Sequence, residues 1–280
     1  MSWGAITFTP TASQLESLRA LKGMSSIRIQ GSRSHATFDR VNKSIADAKN
    51  LGFQVAWGPM DGPDDYPDLE HYVRTSLSSM DELPALVVFD AELLNPQYAM
   101  QGPEGPAHYY NLHVMPAVAT AQSFGLHTAG PGTTHTPGED ELGLGILEGV
   151  LVNPGINNQM HIPSIHWYVD KGWLVAEARL QSWEASVRML GWQRAHVTET
   201  GAHGDWLRSL DGWGCGKDRR PTENRQLSRG EGIVSHFAER EFFDQRFWYQ
   251  VSEDWHEPPD RWYGLLDPAW NQKMVCQLWA

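Results

Sequence analysis

Pro84–Glu92 reads PALVVFDAE: an unbroken apolar run that ends on two acids, Asp90 and Glu92. It lacks the alternation of a half-solvated strand. Such a run fits a strand buried on both faces of a parallel sheet. Parallel strands need long crossovers, so helices are expected on either side. Upstream, Leu69, Val73, Leu77 and Met80 recur at helical spacing. Downstream, Tyr110, Val114, Ala117, Ala121 and Phe124 do the same, and Gly125 follows as a stop.

The same unit repeats along the chain. Further strands are predicted at Ala5–Thr9, Ser25–Gly31, Phe53–Pro59, Leu126–Gly130, Pro163–Asp170, Arg194–Thr200 and Arg246–Ser252. Between them lie helical stripes: Leu15, Leu18 and Leu21; Phe38, Val41, Ile45 and Ala48; Ala176, Leu180, Trp183, Val187 and Leu190. Two more helices are expected over Glu139–Val152 and about Thr222–Glu239. Eight alternating units in 280 residues fit a single closed (β/α)8 TIM barrel spanning 1–280, with long loops after strands seven and eight. An open doubly wound sheet is the alternative. It would normally carry a Gly-rich phosphate turn after strand one, and TFTPTAS (7–13) has none.

Composition narrows the function classes. The hydrophobic fraction of 41% supports a substantial core, and the net charge of −12 argues against nucleic acid or an anionic membrane as partner. The two cysteines, Cys215 and Cys276, make no disulfide framework or CxxC metal signature. His161/His166 and His196/His203 lack a helical HExxH frame, and AGPGTTHTPG and GWGCGK match no phosphate loop. No metal or cofactor is expected. The start, MSWGAITFTP, has neither the basic nor the apolar region of a signal peptide, and no run reaches the ~20 apolar residues of a span. The chain is expected to be soluble, and either cytoplasmic or released, or carried on a particle, by a route not encoded here. Composition says nothing of oligomeric state.

In a barrel of this kind chemistry gathers at the C-terminal ends of the strands. Those positions offer Arg28 and Gln30, Trp57, Asp90 and Glu92, His166 and Tyr168, His196 and Glu199, then Trp248, Gln250, Glu253 and Asp254. Glu92 and Glu199 end strands four and seven, which face each other across the mouth. Two carboxylates so placed can flank a glycosidic bond, one as acid and one as nucleophile or base. Arg28 and Tyr168 can support an ionised Glu199 through charge and hydrogen bonding. Glu199 also opens a long loop, Gly201–Pro221, that carries Trp206 and Trp213. The exit of strand eight adds Trp255, Trp262 and Tyr263, and these rings would stack on sugars.

HVTETG (196–201), IHWYVD (165–170), SIRIQ (26–30) and FWYQVSEDW (247–255) with the later WYGLLD (262–267) together resemble the clan A glycoside hydrolases. These are retaining (β/α)8 enzymes with catalytic glutamates ending strands four and seven. The resemblance covers nearly the whole chain through the order of its elements. Each motif alone is short. It implies Glu199 as nucleophile, Glu92 as acid/base, and Arg28, Tyr168 and His166 in support. Trp57, Trp206, Trp248, Trp255 and Asp90 would contact substrate, with Trp248 as the floor of the sugar site. The partner would be an oligo- or polysaccharide.

One departure stands out. The family usually has Asn just before the strand-four glutamate, where this chain has Ala91. Asp90 lies on the same face of the strand as Glu92 and is the fallback acid. Three readings stay open: a working glycosidase, a catalytically weak or inactive barrel that binds glycans or serves a structural role in a larger (for example viral) particle, and a metal-dependent hydrolase of the same fold.

Overall fold

A computed structural model describes residues 2–8, 10–30, 35–59, 69–90, 105–134, 138–169, 172–201, 223–249, 265 and 274–279. Eight parallel strands close into a barrel in sequence order. They are β1 (Ser2–Phe8), β2 (Met24–Gln30), β3 (Gln54–Gly58), β4 (Leu86–Val88), β5 (His127–Thr133), β6 (His161–Tyr168), β7 (Ala195–Gly201) and β8 (Phe243–Trp248). The helices between them are α1 (Ala12–Arg19), α2 (His35–Asn50), α3 (Leu69–Ser79), α4 (Pro106–Tyr109), α5 (Met115–Ser123), α6 (Glu139–Val152), α7 (Trp173–Met189) and α8 (Glu223–Ala238). A π-helical turn, Tyr110–Val114, joins α4 to α5, and a short 3₁₀ helix covers Met274–Trp279. Among the described residues no helix is long and apolar enough to cross a membrane.

Local chemistry explains several boundaries. Thr11 and Gln14 form a reciprocal cap at the start of α1, with the Thr11 amide donating to Gln14 Oε1 at 2.7 Å. Past the ends of α2 and α7, Gly52 and Gly191 adopt φ of 83° and 97°, which L side chains resist.

Period-two alternation divides the strand residues between two cores. Ile6, Ala56, Leu86, Val88, Ala129, Ile162 and Phe247 fill the barrel interior. Their neighbours Ala5, Val55, Val87, Val197 and Trp248 face the helical stripes, in a second and larger cluster. Gly4 lets the Phe247 ring cross the interior: an added Cβ would lie 2.8 Å from that ring.

Strands β1, β4, β5 and β8 differ from the sequence-based expectation, β1 by beginning at Ser2 and not at Ala5. β4 has only three paired residues, although Ala85 and Phe89 still donate to Val55 and Ala129 on either side. β5 runs on through Gly130–Pro131–Gly132, with a register shift between Ala129 and Gly132. β8 begins at Phe243, paired with Ala195, and not at Arg246. Asp244 and Gln245, both half-buried, hide that start from an apolar-pattern reading. The segment 202–222 and the exit of strand eight lie outside the described residues.

Two fully buried histidines give the fold a pH dependence. Thr128 Oγ1 lies 2.9 Å from His161 Nδ1 and Gly130 O lies 3.1 Å from Nε2, which suits a neutral ring. Burial pushes His161 down to about 4 and His196 down to about 3. Both lie below the ~6.5 of an unfolded histidine, so the unfolded chain binds these protons first. The contribution of these two rings to stability is therefore full above pH ~6.5 and falls as the pH drops toward about 4 and then about 3. Denaturant unfolding of the protein and of His196→Gln at a series of pH values between ~7.5 and ~4.5 checks this. The variant should lose less stability on acidification, and a pH-independent free energy in the parent protein would contradict the assignment.

Candidate functional site

The C-terminal ends of β2, β4, β6 and β7 bring Arg28, Asp90, Ser164, His166, Tyr168 and Glu199 together. Arg28 reaches across the interior. Its Nη1 donates to Asp90 Oδ2 at 2.7 Å and to the Thr198 carbonyl at 2.9 Å, and lies 3.6 Å from Glu199 Oε1. Asp90 also accepts from the Ser164 hydroxyl at 2.8 Å and faces His166 Nε2 at 3.1 Å. Tyr168 donates its hydroxyl to Glu199 Oε2 at 3.1 Å, and His166 Nδ1 lies 3.4 Å from the same oxygen.

A backbone irregularity aims Glu199. Val197 packs outward, so strict alternation would point residue 199 outward too. Pairing of β6 with β7 steps from Ile165↔Val197 to His166↔Glu199, which leaves Thr198 as an extra residue. Such a bulge re-aims the side chains beyond it. Glu199 turns inward, and the displaced Thr198 carbonyl receives Arg28.

Close backbone approach makes room for this cluster. A Cβ added at Gly132 would lie 2.5 Å from His166 Nε2 and 2.6 Å from Asp90 Cγ. Behind the wall, Arg179 of α7 donates to the carbonyls of His166 (2.8 Å) and Thr133 (3.0 Å) while its Nε and Nη2 grip Asp140 of α6, both at 2.7 Å. The sequence reading missed Ser164, Gly132 and Arg179. Gly132 could have been found, since a glycine next to a strand marks close backbone approach.

The expected roles of three residues need correction. Burial pushes the Asp90 carboxyl up, but the Arg28 charge and the His166 contact outweigh it and hold the group well below the usual carboxylate range. With a side chain 2% exposed, Asp90 is a buried anion, neither a fallback acid nor a substrate contact. Trp57 is fully buried outside the barrel wall, 6.1 Å from the Tyr72 ring of α3. Trp248 is fully buried between Trp279 and the α8 backbone at Gly230. Both point outward because they follow the outer period of their strands, so they are core and offer no face to a sugar. His196 is buried low in β7, against the Ala195 carbonyl. Glu92, Trp206 and Trp255 lie outside the described residues, as do Gln250, Glu253 and Asp254. Among the described residues no group of three or more His, Cys, Asp or Glu is placed to hold a metal ion.

No family model and no curated protein matches the sequence. Solved structures do match. An endo-β-1,4-glucanase from Xanthomonas axonopodis pv. citri superposes with a TM-score of 0.64 at 14% identity, over 99% of this chain and 97% of its own. A family 128 endo-β-1,3-glucanase from Amycolatopsis mediterranei, in complex with laminarihexaose, gives 0.62 at 14% identity over 99% and 98%. A family 113 β-1,4-mannanase gives 0.61 at 12% identity over 99% and 96%. This chain has the fold of the clan A glycoside hydrolases. At such identities the likeness is one of fold, and a fold of this kind hosts many chemistries.

The packing around Gly132 yields a direct test. Gly132→Ala should cost about 1–3 kcal/mol, because Asp90 and His166 must both shift to admit the methyl group. Denaturant unfolding measures it, and an unchanged midpoint would refute the close approach.

Proposed function

We propose that the protein is a retaining glycoside hydrolase acting on an oligo- or polysaccharide, with Glu199 as nucleophile. The observation that carries this reading is the setting of the Glu199 carboxylate. It sits at the C-terminal end of β7, 12% exposed, turned toward the mouth by the bulge. Tyr168 and His166 meet one of its oxygens and Arg28 the other. Hydrogen-bond donors and positive charge favour the ionised form that attacks an anomeric carbon. That the solved structures of like fold include endoglucanases and a mannanase supports the same class of substrate.

In this mechanism Glu199 forms a bond to the anomeric carbon as the glycosidic bond breaks. Glu92, assigned from the sequence as acid and then base, protonates the leaving oxygen and later activates water. Ala91 favours a second reading, because the neighbouring Asn that commonly meets the sugar 2-hydroxyl is missing. In that reading the barrel binds glycan and turns it over weakly or not at all.

Two measurements separate these readings. Wild-type protein incubated with a panel of β-glucans and mannans should release reducing ends, and Glu199→Gln should lower the rate on the order of 10³-fold while leaving the melting temperature within a few degrees. Full activity in Glu199→Gln removes the nucleophile assignment. Binding without any release by the wild type selects the binder. A fluorosugar inactivator should label Glu199, and in a crystal structure of a sugar complex the Glu92 and Glu199 carboxyls should stand about 5–5.5 Å apart.

A further inference from the structure

Among the described residues, four side chains that can carry charge near neutrality meet at the base of the mouth. Arg28, Asp90, His166 and Glu199 are 3%, 2%, 3% and 12% exposed. Arg28 brings one positive charge, and the two ionised carboxylates bring two negative ones. Among these four groups a neutral His166 leaves one negative charge in excess where little water reaches, which is costly. With a protonated ring the four charges cancel.

Ring geometry points the same way. Nε2 faces Asp90 Oδ2 at 3.1 Å and Nδ1 faces Glu199 Oε2 at 3.4 Å. Ionised carboxylates only accept, and a neutral imidazole carries a single N–H. A neutral ring would therefore set a lone pair against one of the two carboxylates. An imidazolium donates toward both. Of the two partners, Asp90 is the one held fast, by Arg28 at 2.7 Å and Ser164 at 2.8 Å.

Among the described residues no cation other than Arg28 is paired with these two carboxylates. From β5 the Gly132 backbone approaches the His166 ring closely. Tyr168 on β6 gives its hydroxyl to Glu199. His196 on β7 and Tyr110 behind β4 both sense the Asp90 charge. Burial pushes His196 down to about 3, and burial with the Asp90 charge pushes Tyr110 well above the usual phenol range. Neither titrates near neutrality.

We propose that Asp90 is a positioning residue that keeps His166 doubly protonated, so that an imidazolium faces the Glu199 carboxylate. Asp90 acts through His166 and Arg28 and touches no substrate. The catalytic consequence rests on the reading of Glu199 as nucleophile, whereas the protonation state belongs to the resting protein. In a double displacement the imidazolium favours the carboxylate twice, before it attacks and again when it leaves the sugar. His166 keeps both protons throughout, and the proton needed by the leaving oxygen comes from the acid.

Nitrogen-15 NMR of histidine-labelled protein tests this, with His166→Gln to assign the signals. At about pH 7.5, where an ordinary histidine is neutral, both His166 nitrogens should resonate as protonated. The Nε2–H proton should lie far downfield, as expected for a charge-assisted bond to a buried carboxylate. In Asp90→Asn the ring should become singly protonated at the same pH. A neutral ring in the wild type, or an imidazolium unchanged in folded Asp90→Asn, overturns the proposal. If that variant does not fold, the wild-type Nε2–H signal decides the role of Asp90, and its absence overturns it. Where a hydrolysed glycan is in hand, Asp90→Asn should lower kcat at least tenfold with little change in KM. Failure to find any such glycan bears on the glycosidase reading and leaves the ring measurement intact.

Discussion

The Arg28–Asp90 ion pair is the contact on which the site depends. It links the ends of two strands through the barrel interior, and the remaining donors of the cluster are arranged around it. Buried pairs of this kind add little net stability, because desolvation consumes most of the attraction. Removing one partner is another matter, since it leaves a buried charge without its counter-ion, at a cost of about 3–5 kcal/mol. Its value is therefore directional. With Asp90 fixed, the Arg28 guanidinium points at the Thr198 carbonyl and lies near Glu199. A bulge, a cation and a buried anion thus determine one another.

Much of the barrel was legible in the sequence because helical stripes and apolar strand runs are local signals. The predicted Glu139–Val152 helix matches α6 at both ends, and the stripe from Ala176 to Val187 is buried in α7 as read. What escaped was set by pairing between strands. β4 has only three residues in ladder pairing although its apolar run is longer, and β5 continues through a Gly–Pro–Gly run that reads as a turn. β8 begins among polar residues whose place depends on β7.

The site shows the same division. Arg28, His166 and Tyr168 follow from the inward period of their strands, and the structure brings them to Glu199. Glu199 itself comes to that place for a reason the alternation of β7 does not contain, since only the bulge turns it inward. Trp57 and Trp248 show the converse error: their chemistry suggested sugar stacking, but their parity along the strand placed them among the helices. Parity is thus the stronger guide wherever no bulge intervenes. Asp90 was seen, but its role was not, because burial and partner charge cannot be read from one segment.

Arg179 links the outer layer to the inner one. It belongs to α7, yet it holds the backbone of both strands that carry Gly132 and His166, and it is itself held by Asp140 of α6. The two helices and two strands therefore form one mechanical unit. Exchanging loops on this barrel would leave that unit whole, whereas exchanging either helix would import a different setting of the strand ends. For anyone recombining barrels, the natural cut points fall outside the stretch from β5 to α7, and the exposed faces of those helices are the freer ground for change.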